Sequence, residues 1–153
     1  MKHLRYPLLA LLSLSSCSDN DPAPAPALTG ESWTLQSRIT VATPQGKAPE
    51  TPIVSSITGK VTMTFHSATR FSMAVTPITG SSSHIDSDYT YQGQTLKFPA
   101  ILGWPTPFVV PKTVHVSELS AHKLVTEEPW ENIDIGDGYY EPTTYVTTQT
   151  YTR

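Results

Sequence analysis

Residues 60–76 read KVTMTFHSATRFSMAVT and contain two short segments in which apolar and polar residues alternate. The apolar positions are odd in both segments: Val61, Met63 and Phe65, then Phe71, Met73 and Val75. A period of two places successive side chains on opposite faces of a β-strand, and the link at residues 67–69 is short enough for a hairpin. The stretch therefore predicts two antiparallel strands with one buried face.

Similar patterns predict strands along the rest of the chain. They cover residues 33–41, 84–91, 94–98, 108–116, 123–126 and 143–153, and no window shows an apolar stripe at helical spacing. The β-branched residue Thr occurs 22 times and Ala only 10 times, which favours pleated sheet over helix. We therefore expect an all-β domain, an antiparallel up-and-down barrel of about eight strands, with room inside for side chains or one small ligand.

Length and charge limit the possible functions. The 153 residues fit one domain and a short appendage, and the net charge of −3 is spread thinly. Nucleic-acid binding needs clustered Lys and Arg, and only 10 such residues are present against 13 Asp and Glu. We expect a monomer that does not bind nucleic acid.

The N-terminus has the anatomy of a signal peptide. Lys2 and Arg5 precede an apolar run at residues 6–14, and small residues then lead to the single cysteine, Cys17. The run is far shorter than the ~20 residues that a membrane-spanning helix needs. Residues 14–17, Leu-Ser-Ser-Cys, resemble the lipobox of bacterial lipoproteins, which implies a signal peptide at residues 1–16 and lipidation of Cys17. The alternative is an ordinary secretory signal followed by a free thiol.

Residues 17–27 are predicted to be a lipid-anchored linker. Pro and Ala alternate up to Ala27, and alternating Pro favours an extended, semi-rigid spacer. Asp19 and Asp21 resemble the surface-export signal of Bacteroidetes-type lipoproteins, although an ordinary solvated linker has the same composition. We expect a lipid anchor in the bacterial cell envelope, in the outer membrane, with the domain facing the periplasm or the cell surface.

The two ends of the domain at residues 28–153 carry a family resemblance. Leu28-Thr29-Gly30 with Trp33-Thr34-Leu35 at its start, and Tyr151-Thr152-Arg153 at its end, resemble the first and last strands of bacterial lipocalin-like lipoprotein domains. The resemblance implies a calycin-type barrel in which Arg153 packs over Trp33 and closes one end. Such a cation–π contact contributes ~0.5–2 kcal/mol, and its role would be structural.

No set of residues for catalysis or metal binding can be assembled. The sequence has no P-loop, no G-x-S-x-G and no H-E-x-x-H, so we expect neither an enzyme nor a cofactor. His115 and His122 could meet across a turn, but a zinc site needs at least three protein ligands, so no metal site is predicted. The acidic segment 127–141 could bind calcium weakly, or it could be a solvated loop.

Aromatic residues are the remaining clue to function. The candidates for contact with a ligand are Trp104, Phe108, Tyr89, Tyr91 and Trp130. They could line the barrel mouth, or they could plug the barrel and complete its core. The first reading favours an envelope lipoprotein that binds a small apolar or amphipathic molecule. The second favours a non-enzymatic structural or protein-interaction module with a barrel filled by its own side chains.

Overall fold

In the computed structural model, residues 27–30, 32–102, 109–132 and 141–153 are described, and all the regular structure within them is β-strand. No helix in this part of the chain is long and apolar enough to cross a bilayer. The strands are β1 Ser32–Pro44, β2 Ile53–Ser55, β3 Lys60–Phe65, β4 Arg70–Thr76, β5 Ser83–Asp88, β6 Thr90–Gln92, β7 Thr95–Leu102, β8 Val109–Leu119, β9 Lys123–Asn132 and β10 Thr143–Thr152.

The strands form one antiparallel sheet that curls into a nearly closed barrel. Their spatial order is β5-β4-β3-β1-β10-β9-β8-β7-β6, with β2 attached to β1. The two ends of this order, β5 and β6, are consecutive segments separated only by Tyr89, and β5 also lies beside β7. The predicted all-β, up-and-down antiparallel barrel is confirmed.

The predicted number of eight strands is corrected to ten in the described part of the chain. One addition is β2, a three-residue strand that pairs with residues 38–40 of β1, beyond the segment 32–34 that pairs with β3. The other arises because the chain between residues 83 and 92 is interrupted at Tyr89, so that β5 pairs with β4 and only β6 pairs with β7. Gly93 and Gln94 form the turn of the β6–β7 hairpin with φ values of 55° and 65°, as a tight two-residue hairpin turn requires.

The hairpin predicted from residues 60–76 is confirmed. Lys60 lies opposite Thr76 and Phe65 opposite Phe71, with no shift of register between them. The odd-numbered apolar residues are all buried, each at most 5% exposed. They face the barrel interior because residues directly opposite each other in an antiparallel pair share a face.

The first strand changes its inward face part-way along. A bulge between Leu35 and Ser37 shifts the pairing with β10, so Leu35 lies opposite Tyr151 whereas Arg38 lies opposite Gln149. A one-residue shift moves all following side chains to the other face of a sheet. The alternation over residues 33–41 predicts an odd-numbered inner face throughout. That prediction is wrong after the bulge, where Arg38, Thr40 and Ala42 face inward.

Strands β8 and β9 diverge toward one end of the barrel. Their register runs from Leu119 opposite Leu124 to His115 opposite Glu127, and beyond this point β9 pairs, among the described residues, with β10 alone. Pro129 is tolerated within β9 because one edge of the strand needs no ladder hydrogen bond there. The sequence predicts that β9 ends at residue 126, and this is corrected because Glu127–Asn132 continue the pairing with β10.

The end of the barrel near the N-terminus of β1, here called the Trp33 end, is filled by aromatic side chains. The rings of Phe65, Phe71, Tyr89 and Phe98 contact one another, with centroids 4.8–6.5 Å apart. Such tilted and edge-on contacts add stability beyond the area they bury. The opposite end, called the Trp130 end, is where β7 and β9 finish and β8 and β10 begin.

Candidate ligand-binding site

One side of the barrel interior is polar. Inward-facing positions of β1, β8, β9 and β10 form what is called the polar wall: Arg38, Thr40, Lys112, Thr126, Glu128, Thr147 and Gln149. Thr147 and Thr126 are 1% and 3% exposed, and Thr40 Oγ1 lies 3.1 Å from Thr147 Oγ1. Buried polar groups are costly unless they find partners, so this wall is built around mutual hydrogen bonds.

The opposite side of the interior is apolar. The apolar wall comprises inward-facing residues of β3, β4 and β7: Val61, Met63, Met73, Val75, Phe98, Ile101 and Leu102. Methionine side chains adapt to irregular shapes, so Met63 and Met73 make this surface adaptable. The interior therefore presents one apolar and one polar surface to anything placed between them.

A cavity of about 40 Å³ lies between the two walls. It is lined by Arg38, Lys112 and Gln149 on the polar side and by Met63, Met73 and Phe98 among others on the apolar side. One ordered water needs ~10–15 Å³ of such space, so the cavity has room for about three water molecules. This volume matches a small polar group, and a whole drug-sized ligand needs several hundred Å³.

An ion pair bridges the divergence between β8 and β9. Lys112 Nζ lies 2.6 Å from Glu128 Oε2, and the side chains are 21% and 26% exposed. The other ion pairs of the described residues, such as Lys47 with Glu141, have side chains 46–67% exposed. Half-burial weakens solvent screening, so the Lys112–Glu128 pair holds its geometry more firmly than an exposed pair does.

Tyr151 joins the polar wall to the Trp33 end. Its side chain is 4% exposed and its hydroxyl donates to Gln149 Oε1 at 3.1 Å. Burial is the largest cause that raises the Tyr151 pKa above its ordinary range, while the charge of Arg38 opposes this and that of Glu128 adds to it. The phenol is therefore held neutral as a hydrogen-bonding group at the bottom of the cavity.

An aromatic pair stands at the Trp130 end. Trp130 and Tyr145 are opposite each other in β9 and β10, and their rings stack 4.0 Å apart at an angle of 6°. Trp130 Nε1 donates to Thr147 Oγ1 at 3.4 Å, which turns the indole toward the polar wall although the residue is 46% exposed. An exposed stacked pair beside the interior offers a flat apolar surface to a ligand.

The other aromatic candidates are distributed differently. Tyr89 is 3% exposed within the aromatic cluster at the Trp33 end, donates its hydroxyl to the Ser67 carbonyl at 2.8 Å, and has its pKa raised by burial. Tyr91 is 40% exposed and lies opposite Leu96 beside the β6–β7 turn, also at the Trp33 end. Trp104, Phe108 and Cys17 lie outside the described residues. Three of the five aromatic candidates are described, and of these Trp130 lies at the Trp130 end whereas Tyr89 and Tyr91 lie at the Trp33 end.

Trp33 and Arg153 meet at the base of the barrel. Trp33 is fully buried and its Nε1 donates to the Leu28 carbonyl at 2.9 Å, while the Arg153 guanidinium carbon lies 4.5 Å from the centre of the Trp33 ring. This is the arrangement expected from the family resemblance. It links the first and last strands at one end of an up-and-down antiparallel barrel.

Comparison with known proteins gives similarities to solved structures alone. No family model and no curated protein matches the chain. Among solved structures, a lipocalin-like protein from Bacteroides uniformis is similar at 18% identity, with 78% of this chain and 96% of that chain covered and a TM-score of 0.41. An uncharacterized protein from Bacteroides eggerthii has 17% identity, coverage of 80% and 99%, and a TM-score of 0.43. A polyisoprenoid binding domain from Saccharophagus degradans has 10% identity, coverage of 78% and 97%, and a TM-score of 0.33.

Residues considered for metal binding are not brought together in the part of the chain that is described. His115 lies within β8 and His122 lies in the β8–β9 turn, about 13 Å or more apart at ~3.4 Å per residue. Of the acidic segment 127–141, Glu127–Glu131 belong to β9, Glu141 pairs with Lys47, and residues 133–140 lie outside the description. No group of three or more His, Cys, Asp or Glu among the described residues could hold a metal ion.

The outer face of the sheet carries a serine–histidine contact. His66 Nε2 lies 2.8 Å from Ser72 Oγ, and Asp86 is opposite Ser72 in β5. Asp86 is hydrogen-bonded to His84 on its own strand, at 3.1 Å, so no hydrogen bond found among these four residues joins a carboxylate to His66. A nucleophile and base without an orienting acid or a cleft do not make a triad.

Sequence reasoning missed most of the polar wall. Arg38 follows the bulge of β1, where the local alternation indicates the other face. The inward direction of Lys112 and Gln149 does leave a trace, because Lys112 alternates in phase with Val114 and Val116 and Gln149 in phase with Tyr151. A further signal for Lys112 is Pro111, because a proline within a predicted strand marks a place where strand pairing ends.

Proposed function

We propose that the chain is a cell-envelope lipoprotein, and not an enzyme, whose lipocalin-like barrel binds a small apolar or amphipathic ligand through the Trp130 end. The observation that carries the proposal is the division of the interior into the polar wall and the apolar wall, with a cavity between them. A barrel filled for stability alone would gain more from an apolar core, since each buried polar group must recover its lost hydration.

Exposed apolar side chains near the Trp130 end support the same proposal. Val109 begins β8 and is 56% exposed, and Trp130 near the end of β9 is 46% exposed. Ile78, in the β4–β5 connection, is 77% exposed. All three lie toward the end of the barrel where β7 and β9 finish, and exposed apolar residues beside a cavity are typical of a site that meets an apolar molecule.

The proposed localisation rests on the N-terminal sequence. It follows from the charged start, short apolar run and lipobox-like residues 14–17 of the sequence. Several acyl chains on Cys17, each burying methylenes worth ~0.8 kcal/mol, would anchor the domain firmly to a membrane. A lipid-anchored barrel would meet amphiphiles at the membrane surface, where they are most abundant.

Binding at the Trp130 end can be tested with a fluorescent apolar probe. We expect the full chain carrying Cys17→Ala, purified without detergent, to bind 1-anilinonaphthalene-8-sulfonate. Trp130→Ala should weaken probe binding about fivefold, since aromatic stacking contributes ~0.5–1.5 kcal/mol. The matched control is Tyr91→Ala, which removes an exposed aromatic residue at the Trp33 end and should leave binding unchanged. Equal effects of the two variants would contradict the proposed site.

The second candidate function is a docking module for another envelope protein. The cavity of about 40 Å³ and the exposed Ile53 and Val54 of β2, at 62% and 70%, favour it. A double variant of β2 distinguishes the two functions by its effects on crosslinking and on probe binding. Ile53→Ser with Val54→Ser should abolish crosslinking to a partner protein if β2 is a docking strand, and should leave probe binding unchanged if the barrel binds a small ligand.

A further inference from the structure

Strands β8 and β9 stop pairing with each other half-way along the barrel. Among the described residues their ladder ends with His115 opposite Glu127, although both strands continue toward the Trp130 end. Over this continuation β8 pairs with β7 and β9 pairs with β10. The gap between residues 109–114 of β8 and 128–132 of β9 is here called the β8–β9 slit. It is a break in the side of the barrel that runs to the Trp130 end.

Two prolines explain why the pairing stops. Val116 donates its N–H to the carbonyl of Gln94, just before β7. Backbone groups alternate in direction along a strand, so the odd-numbered residues of β8 from His115 back to Pro111 direct theirs toward β9. Pro129 lies two residues beyond the last residue of β9 that pairs with β8, and it directs its backbone toward β8 in the same way. Pro111 and Pro129 therefore lack an N–H where the next ladder bonds would form.

One ion pair spans the slit from the inside. Lys112 Nζ lies 2.6 Å from Glu128 Oε2, and these inward-pointing side chains are 21% and 26% exposed. Thr126 and Thr147, the inward-facing neighbours of Glu128 on β9 and β10, are only 3% and 1% exposed. Solvent therefore reaches the interior face along this seam, where side chains rather than backbone hydrogen bonds join the two strands.

The interior cavity lies directly behind the slit. Lys112 on β8 and Thr126 on β9 both line it, and Trp130 lies on the β9 side of the slit. The cavity volume of about 40 Å³ is too small for a drug-sized ligand, so the interior must widen when one binds. Two strands that share no ladder bonds separate by breaking side-chain contacts alone, which costs less than breaking a paired seam.

We propose that the β8–β9 slit is the entrance of the barrel, through which the apolar body of a ligand passes sideways between the two strands. The Lys112–Glu128 ion pair is the contact that closes this entrance. The inference rests on the proposed function and adds the route of entry and the contact that controls it. Its content is kinetic: a sealed slit slows binding and release together, and a weakened ion pair speeds both.

The first test seals the slit and measures how fast a neutral probe enters and leaves. The full chain carrying Cys17→Ala, purified without detergent, is mixed in a stopped-flow fluorimeter with N-phenyl-1-naphthylamine, which fluoresces in apolar surroundings. Pro111→Val combined with Pro129→Val restores two N–H groups and should extend the β8–β9 ladder, which hydrogen exchange detects as protection of the two new amides. Both rate constants should fall about tenfold, since the added hydrogen bonds must break at each passage, while the dissociation constant changes less than about twofold.

The matched control for the sealed slit is Pro52→Val. It replaces an exposed proline that precedes β2, away from β8 and β9, and should leave both rate constants unchanged.

The second test weakens the contact that closes the slit. Glu128→Gln removes the charge that pairs with Lys112 and should raise both rate constants about threefold, the scale of a partly exposed ion pair. Because the probe is neutral, the lost charge does not steer the probe itself. The matched control is Glu118→Gln, which breaks the exposed pair with Lys123 where β8 and β9 are still paired, and should leave both rate constants unchanged.

The outcomes separate this inference from the proposed function. Protected amides at positions 111 and 129 with unchanged rate constants overturn the slit as entrance and leave ligand binding intact. Free exchange of those amides overturns the role of the two prolines, and with it the inference. Failure of the probe to bind the parent protein overturns the proposed function as well. Because one variant seals the slit and the other weakens its closing contact, a folding defect in either leaves the other to decide.

Discussion

Replacing Trp33 by alanine should strongly lower the free energy of unfolding of the barrel. The side chain is fully buried, and its Nε1 donates to the Leu28 carbonyl at 2.9 Å. The guanidinium carbon of Arg153 lies 4.5 Å from the centre of the Trp33 ring. Loss of a buried aromatic side chain costs ~3–5 kcal/mol through lost transfer energy and the cavity left behind. The orphaned Leu28 carbonyl adds ~1 kcal/mol and the lost cation–π contact ~0.5–1 kcal/mol.

The expected total of about 5 kcal/mol is a large part of the ~5–15 kcal/mol that stabilises a typical domain. At ~4 °C per kcal/mol for a domain of this size, the melting temperature should fall by about 20 °C, or the variant should not fold at all. Differential scanning calorimetry and urea unfolding followed by circular dichroism measure the two quantities independently.

Two milder variants test the two sides of this arrangement. Trp33→Phe keeps an aromatic ring and loses the hydrogen bond to Leu28. Arg153→Met keeps a long side chain and loses both the cation over Trp33 and the hydrogen bond that Nε donates to the Ala121 carbonyl. Each should cost ~1–2 kcal/mol, well below the alanine variant. A melting temperature that falls by only a degree or two in Trp33→Ala would refute the assignment of Trp33 to the core.

Three further predictions concern the anchor, alkaline pH and one turn. Cys17→Ala should abolish labelling by fatty acid and membrane fractionation, and membrane retention without label would refute lipidation. Stability should fall above about pH 10, because an unfolded tyrosine ionises near its ordinary pKa of 10.0 whereas burial keeps native Tyr151 protonated. Tyr151→Phe should flatten that fall in urea midpoint, and an unchanged slope would exclude this residue as the cause. Gly59→Ala should destabilise more than Gly46→Ala by on the order of 2 kcal/mol, since its Cβ would meet the Thr76 carbonyl whereas Gly46 has open space; equal thermal shifts would contradict this.

The strands of the barrel could be predicted from the sequence where alternating residues differ strongly in polarity between the two faces. In residues 60–76 every inward position is large and apolar and every outward one is small or polar, so only one register buries the core. The period of two, together with the short link, was enough to predict the hairpin without knowledge of its neighbours.

Beyond Leu35 the same reasoning fails for a physical reason. After the bulge the alternation continues, with Ile39 and Val41 apolar and Arg38 polar, so the local pattern indicates the wrong inner face. A bulge is fixed by pairing with β10, more than 100 residues away in the chain, and no local pattern encodes it. Arg38, one of the two cations of the candidate site, therefore could not be predicted.

The extent of β9 shows a similar limit. Acidic residues and Pro129 suggest a loop, yet Glu127–Asn132 pair with β10 because that strand offers a continuous Thr- and Tyr-rich edge. Proline and charge are compatible with a strand that is paired on one side only. The position of Glu128 beside Lys112 thus depends on the partner strand and cannot be deduced from its own segment.

Whether the barrel carries a ligand is best tested by native mass spectrometry. The sample is the domain at residues 28–153, exported without its anchor to the periplasm of a related bacterium, and a solvent extract is analysed in parallel. We expect a reproducible bound mass that the extract identifies as an amphiphile. An empty, tightly folded barrel, recovered repeatedly without any bound mass, would contradict ligand binding and favour the docking module.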